Sequence, residues 1–181
     1  MGFYQVPKFI FNPIRDSGIC EGSILLPTDF DRQLAQQVRQ AGLTDLTCNF
    51  DLNSLSEPEW WEQHRGVDWV IAITQGMGDL STWVTEYGHD VAKQGLIILD
   101  RLTFLEPTRR RERFLKGASL TNLKILSPRP SFRGDGKQLK DSVTSAWFVF
   151  KKQPDASTST MIEYEVGWPN PPIPNSEQTP L

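Results

Sequence analysis

Short apolar runs alternate along the chain with polar, glycine-punctuated stretches, and the runs differ in period. Val67–Ile73 is an apolar run of strand length, and Gly76 and Gly78 break it immediately. Residues 96–105 and 143–152 read as strongly apolar strands, residues 123–128 as another, and residues 43–50 as a short one ending at Asp51. Residues 19–26 join a glycine turn to an apolar run, and residues 161–168 add an edge strand. Between these runs the period is helical. Phe30, Leu34 and Val38 recur on one face of residues 29–42, with Thr28 or Asp29 as N-cap and Gly42 past the end. Trp83, Val84, Tyr87 and Val91 share a face of residues 81–95, where Ser81 is a cap and Gly95 a stop. Pro58 opens a helical turn, and residues 107–117 form a basic helix. The first 15 residues, aromatic and proline-punctuated, read as a lead-in packed on the core. Alternating strands and helices predict an α/β fold, a Rossmann-like, doubly wound, mostly parallel sheet in a single domain. That domain spans residues 1–152, with the edge strand within 153–168 and a flexible proline-rich tail over 169–181.

Composition narrows the function classes. The 181 residues suffice for a core without disulfides, and the net charge of −3 gives no global attraction to nucleic acid or membrane. Cys20 and Cys48 make no disulfide scaffold, and His64 and His89 lack metal-ligand spacing, so no metal is expected. No apolar stretch has membrane-spanning length, and the amino terminus lacks a signal-peptide layout. The expected setting is a reduced cytoplasm without membrane contact. Oligomeric state is left open.

Four stretches carry candidate chemistry. Asp16-Ser17-Gly18-Ile19-Cys20-Glu21-Gly22 puts an acid and two glycines beside an apolar run, where backbone can approach a ligand closely; the alternative is an ordinary glycine turn. It is neither a P-loop nor GxGxxG. Asp51 ends a strand, where an acid accepts hydrogen bonds from ribose hydroxyls or caps a turn. Thr74, Gln75, Gly76 and Met77 follow the strand at 67–73, where open α/β sheets bind ligands. Residues 127–142 set Arg129, Arg133, Lys137 and Lys140 around Phe132, a pattern suited to a phosphate backbone and a stacked base, or to a solvated loop. Residues 109–113, Arg-Arg-Arg-Glu-Arg, either extend that basic surface or form a solvated helix face.

Taken in order, these segments resemble small, single-domain S-adenosylmethionine-dependent DNA adenine methyltransferases of phage and bacterial type. The segments LIILDRLTFLEPTRRRERFL, LKILSPRPSFRGDGK and DSVTSAWFVFKK carry the resemblance. Arg101, Glu106, Pro107, Arg129, Ser131, Phe132, Gly134, Gly136, Lys137 and Trp147 match the family pattern, closely over residues 96–152 and loosely over 4–95. The resemblance implies a class I methyltransferase fold, S-adenosylmethionine as cofactor and DNA as partner. It implies cofactor contacts at Asp16, Gly18, Gly22 and Asp51, and DNA contacts at Arg101, Arg129, Phe132, Arg133 and Lys137. The catalytic positions it implies are Thr74, Gln75, Met77 and Asp79.

The departures lie in the amino-terminal half. Val6 stands where the family's opening segment has Thr, Ser17 replaces the proline of the cofactor turn, and Cys20 replaces its first glycine. The family's catalytic loop reads Asn-Pro-Pro-aromatic, or Asp in the first place. Its side-chain oxygen and a backbone carbonyl accept the adenine amino hydrogens, and its aromatic ring stacks on the flipped base. Here the loop reads Thr74-Gln75-Gly76-Met77, or Ile73-Thr74-Gln75-Gly76 with a shift of one. Neither proline nor aromatic remains, although Gln75 offers an amide oxygen, Met77 an apolar contact and Asp79 a carboxylate. Asn170-Pro171-Pro172-Ile173 spells nearly the missing tetrapeptide, but in a tail with no helix following. Three readings follow: an active methyltransferase with an atypical loop, a degenerate one that binds DNA or protein, and a different Rossmann-like enzyme. Change at both the cofactor turn and the catalytic loop favours the second over the first.

Overall fold

The computed structural model describes residues 6–29, 32–49, 51–106, 112–130, 132, 143–154 and 159–166. In chain order the elements are α1 (Asn12–Ser17), β1 (Ile24–Leu26), α2 (Gln33–Gln40), β2 (Leu46–Cys48) and α3 (Pro58–Glu62). There follow β3 (Trp69–Ile73), α4 (Leu80–Val91), β4 (Gly95–Arg101), α5 (Glu112–Gly117), β5 (Ser119–Ser127), β6 (Ser145–Lys151) and β7 (Met161–Val166). Two 3-10 turns, Asn53–Ser56 and Leu102–Leu105, follow β2 and β4.

The seven strands form one sheet in the order β2-β1-β3-β4-β6-β5-β7. All run parallel except β6, which lies antiparallel between β4 and β5. Side chains alternate across the sheet, and both faces are covered, which is why the central strands read as continuous apolar runs. On one face Ile71 of β3, Leu99 of β4 and Trp147 of β6 pack against Ile14 of α1 and Leu34 and Val38 of α2. On the other, Val70, Ile98 and Phe148 pack against Trp61 of α3, Val84 of α4 and Phe104. The Trp147 indole N–H donates to the Ile10 carbonyl at 2.9 Å, and its ring meets Phe11 edge-on. The lead-in segment is thereby fixed to the middle of the sheet, as its aromatic composition predicts.

Several boundaries differ from the sequence expectation, each for a local reason. The strand expected over 96–105 stops at Arg101, because Leu102 turns its N–H to the Thr144 carbonyl and the chain leaves the sheet. Gly95, expected to stop the preceding helix, instead opens β4. A Cβ at Gly95 would overlap the Phe150 carbonyl, so only glycine lets β4 and β6 pair at that register. Helix α1 is not evident from periodicity, being only six residues long. Its signals are Pro13 in the first turn and Gly18, in the left-handed region at φ 61°, past the end.

The edge strand β7 pairs with β5 but presents Ile162, Tyr164 and Val166 to solvent, each more than half exposed. What binds it is Lys124 of β5, itself buried, whose ammonium meets Glu163 at 2.8 Å and Glu165 at 2.9 Å. Burial opposes the charge on Lys124. The hydrogen bonds to Glu163 and Glu165 outweigh burial, and the ammonium titrates above its ordinary value of 10.5. A raised lysine contributes stability that is whole below the ordinary value and is lost as pH rises through the folded one. Substitution Lys124→Met is expected to speed hydrogen exchange of the β7 amides about tenfold, with β3 and β4 amides unchanged. Wild-type β7 protection should fall only above pH 10.5. Unchanged β7 protection in the variant would show that the ladder to β5 suffices alone.

Candidate functional site at the carboxyl edge

The chain leaves β1 towards β2 on one side, while β3 takes the other side of β1. Sheets with such a reversal bind ligands at the carboxyl ends of the strands that flank it, here β1 and β3. The loop Pro27–Asp29 leaves β1 there, and both Thr28 and Asp29 are buried. Thr28 Oγ1 accepts the Ile73 N–H at 2.9 Å, which ties the exits of β1 and β3 together. The Asp29 carboxylate accepts the Leu34 N–H at 2.9 Å and the Ala35 N–H at 3.0 Å and so serves the first turn of α2, although the N-cap position is Arg32 rather than Thr28 or Asp29. Arg32 reaches that helix through a left-handed backbone, φ 61°, a conformation that costs less for glycine.

Asp51 lies at the carboxyl end of β2, exposed and three residues past the strand. Its Oδ1 accepts the Asn53 N–H at 3.0 Å, so the turn-forming role is realised. Buried Asn49 holds the surrounding backbone, donating to the Asp51 carbonyl and accepting the Asp51 N–H. The same amide group reaches the Pro27 carbonyl at 3.4 Å and so joins the exits of β1 and β2.

The loop after β3 turns inward. Thr74 is 1% exposed and Gln75 3%. The Thr74 hydroxyl donates to Asp100 Oδ2 at 2.7 Å, and Gln75 Oε1 accepts from the Ser145 hydroxyl at 2.8 Å. Two polar side chains at this depth need such partners, and Asp100 at the end of β4 and Ser145 at the start of β6 supply them. Asp100 Oδ1 also accepts the Arg101 N–H at 2.7 Å. Gly76 and Gly78, both at positive φ, then swing the chain outward. Met77 packs half-buried on the α4 side of the core, and exposed Asp79 stands at the head of α4.

Asp16, Gly18 and Gly22 do not join this group. They precede β1 and lie towards the amino ends of the strands, where Asp16 is paired with Arg15 and Gly18 ends α1. Gly22, at φ 92°, packs on the Asp68 carboxylate, which a Cβ would strike. Asp68 Oδ2 accepts the Ser23 N–H at 2.8 Å and hydroxyl at 2.9 Å, and those bonds hold its carboxyl below the usual range. The glycine turn thus joins β1 to β3 from below. Burial, with Asp68 and Glu21 adding, pushes the Cys20 thiol up to about 12, and burial also raises Cys48. Neither is an available thiolate nucleophile.

Of the expected DNA contacts, Arg101 and Arg129 lie at or just past the carboxyl ends of β4 and β5, half-buried and exposed respectively. Arg101 Nε is buried without a hydrogen-bond partner. Phe132 is corrected from a stacking residue to a core residue: it is 4% exposed and packed with Leu126 and Trp147. Arg133 and Lys137 lie outside the described residues, as do Lys140 and the tail tetrapeptide 170–173. Sequence reasoning took Thr28 only as a cap and passed over Asn49, Asp100 and Ser145. The signal for Asp100 was an acid closing an apolar run, as at Asp51. Among the described residues no cluster of three His, Cys, Asp or Glu could hold a metal, and no helix is long and apolar enough to cross a membrane.

No protein-family model and no curated protein sequence matches the chain. Solved structures do. A Listeria monocytogenes protein described as a class I S-adenosylmethionine-dependent methyltransferase superposes with a TM-score of 0.58 at 13% identity, over 92% of this chain and 67% of that one. A Vibrio vulnificus protein described as the modification subunit of a type I restriction enzyme gives 0.54 at 13% identity, over 90% of this chain and 46% of its own. The chain therefore spans two thirds of the first relative and under half of the second. With β6 inserted antiparallel between β4 and β5, the chain has the Rossmann-like α/β fold of class I methyltransferases, in a single domain.

Proposed function

We propose that the chain binds S-adenosylmethionine at the carboxyl edge, and that the adenine amino group of DNA is its acceptor class. The observation that carries this reading is the convergence of the β1, β2 and β3 exits around an exposed, backbone-held Asp51. The residues present suit the adenosine half of the cofactor. Asp51 offers acceptors to two ribose hydroxyls, and Leu52, 38% exposed beside it, offers an apolar surface to the base. The first free N–H groups of α2 are already taken by Asp29, so the helix end does not serve the cofactor's carboxylate. When bound, S-adenosylmethionine supplies an electrophilic methyl group on a sulfonium. The chain's part is to present the amine: Met77 as an apolar contact, Asp79 as an acceptor, and Arg101, Arg129, Arg133 and Lys137 as phosphate contacts.

A second reading, binding without methyl transfer, is favoured by one observation. The Thr74 hydroxyl donates to Asp100 and Gln75 Oε1 accepts from Ser145, so both side chains at the catalytic positions are held in buried structural bonds. Breaking those bonds to turn either side chain towards an amine would leave buried polar groups unpaired, at about 1–3 kcal/mol each.

Calorimetry with S-adenosylmethionine on the full chain tests the shared part. Saturable binding is expected, weakened about tenfold or more by Asp51→Ala through loss of charged hydrogen bonds. An absence of binding at millimolar ligand overturns it. Labelled methyl transfer to duplex DNA then separates the two readings: incorporation supports the first, and binding without incorporation supports the second. Under either, DNA affinity should fall steeply with salt and fall further in Arg129→Ala. Equal affinity of that variant would remove the loop from the DNA surface.

A further inference from the structure

Past Asp79, which stands at the head of α4 and belongs to the site above, the α3–α4 surface has no role in that site, yet three of the six tryptophans lie in it. Trp83, in the first turn of α4, is 39% exposed and stacks on Tyr87 one turn later, with centroids 5.5 Å apart and planes 11° apart. Tyr87 leans on buried Trp61 at 6.2 Å, Trp61 meets Trp60 at 4.9 Å, and Trp60 meets His64 at 4.4 Å. The rings form one unbroken row from α4 to α3. Core packing explains Trp61, whose indole N–H donates to the Leu55 carbonyl, but leaves the outer Trp83 ring without a purpose.

Charge decides what such a row can receive. At helical spacing Glu86 and Asp90 lie on the same stripe of α4 as Trp83 and Tyr87. Residues 57–65 and 80–91 together carry five carboxylates (Glu57, Glu59, Glu62, Glu86 and Asp90) against Arg65, with Lys152 donating to the Asp90 carbonyl at the far end of the stripe. That guanidinium is spent on Glu62 at 2.5 Å and Asp90 at 2.6 Å. A nucleic-acid backbone is repelled here, so the rings are no platform for bases. A second copy of the chain would set like charges face to face, so a two-fold contact through this surface is disfavoured. An aromatic row framed by carboxylates suits cations that also have apolar reach, because ring faces and carboxylates attract the same group.

We propose that the Trp83–Tyr87–Trp60 face is a docking site for an arginine-bearing, amphipathic segment of another protein. Guanidinium groups stack on Trp83 and pair with Glu86 and Glu59, while apolar side chains cover the ring edges. The face lies on the α3–α4 layer, whereas Arg101 ends β4 and Arg129 follows β5.

The test is fluorescence anisotropy of the full chain with a labelled peptide that repeats arginine and leucine. A version with glutamate for arginine and a single-stranded DNA serve as competing probes. Saturable binding of the arginine peptide is expected, weakened about tenfold by Trp83→Ala and similarly by Glu86→Lys with Glu59→Lys, and unaffected by Arg129→Ala. The charge-reversal variant alters surface carboxylates only, so it keeps the test valid should Trp83→Ala unfold. The proposal is overturned by no binding, by equal binding of the glutamate peptide, or by an affinity insensitive to both variants. Preferential binding of the single-stranded DNA through Trp83 would overturn it too.

Discussion

Burial of the central strands on both faces is the constraint from which the rest follows. Ile71, Leu99 and Trp147 fill one side of the sheet, and Val70, Ile98 and Phe148 fill the other, all fully buried. Central strands so covered have no face left for a ligand, and most polar groups that enter them are paired within the chain, with Trp69 Nε1 and Arg101 Nε as exceptions. Chemistry is thereby confined to the strand ends. At those ends the backbone turns out of its ladder and side chains take over the hydrogen bonding.

The two ends are built differently. The amino end is a joint, in which Ser23 and Asp68 exchange bonds between β1 and β3 and Gly22 yields space to the carboxylate. The carboxyl end is a set of loops, cross-tied by Thr28, Asn49, Thr74 and Gln75 but leaving Asp51 exposed. Its inner layer is committed to the fold and its outer layer is available. The loop after β3 belongs to the inner layer, where Asp100 and Ser145 grip Thr74 and Gln75.

Much of this was legible in the sequence. The apolar runs at 67–73 and 143–152 predict β3 and β6 because double burial removes the polar alternation that would blur them. Asp29 as a partner for the first amides of α2, Asp51 at the turn after β2 and the edge strand β7 were likewise readable from residue type and place, although the N-cap position fell on Arg32. Direction was harder to read. A glycine turn beside an apolar run looks the same whether it precedes the strand or follows it; residues 16–22 precede β1, and Gly22 packs there on the Asp68 carboxylate. Phe132 misled because its basic neighbours describe the loop, whereas its ring belongs to the core formed with Leu126. The ties from Thr74 to Asp100 and from Gln75 to Ser145 bridge distant segments, and no local pattern announces them.

On the reading proposed above, the carboxyl edge receives ligand and the amino edge is a joint between β1 and β3. Mapping backbone amide shifts by NMR as S-adenosylmethionine is added tests it most directly. The account predicts shifts gathered at Thr28–Asp29, Asn49, Asp51–Asn53 and Met77–Asp79, with Gly18, Gly22 and Ser23 unmoved. Shifts centred on Gly18–Ser23 would contradict it.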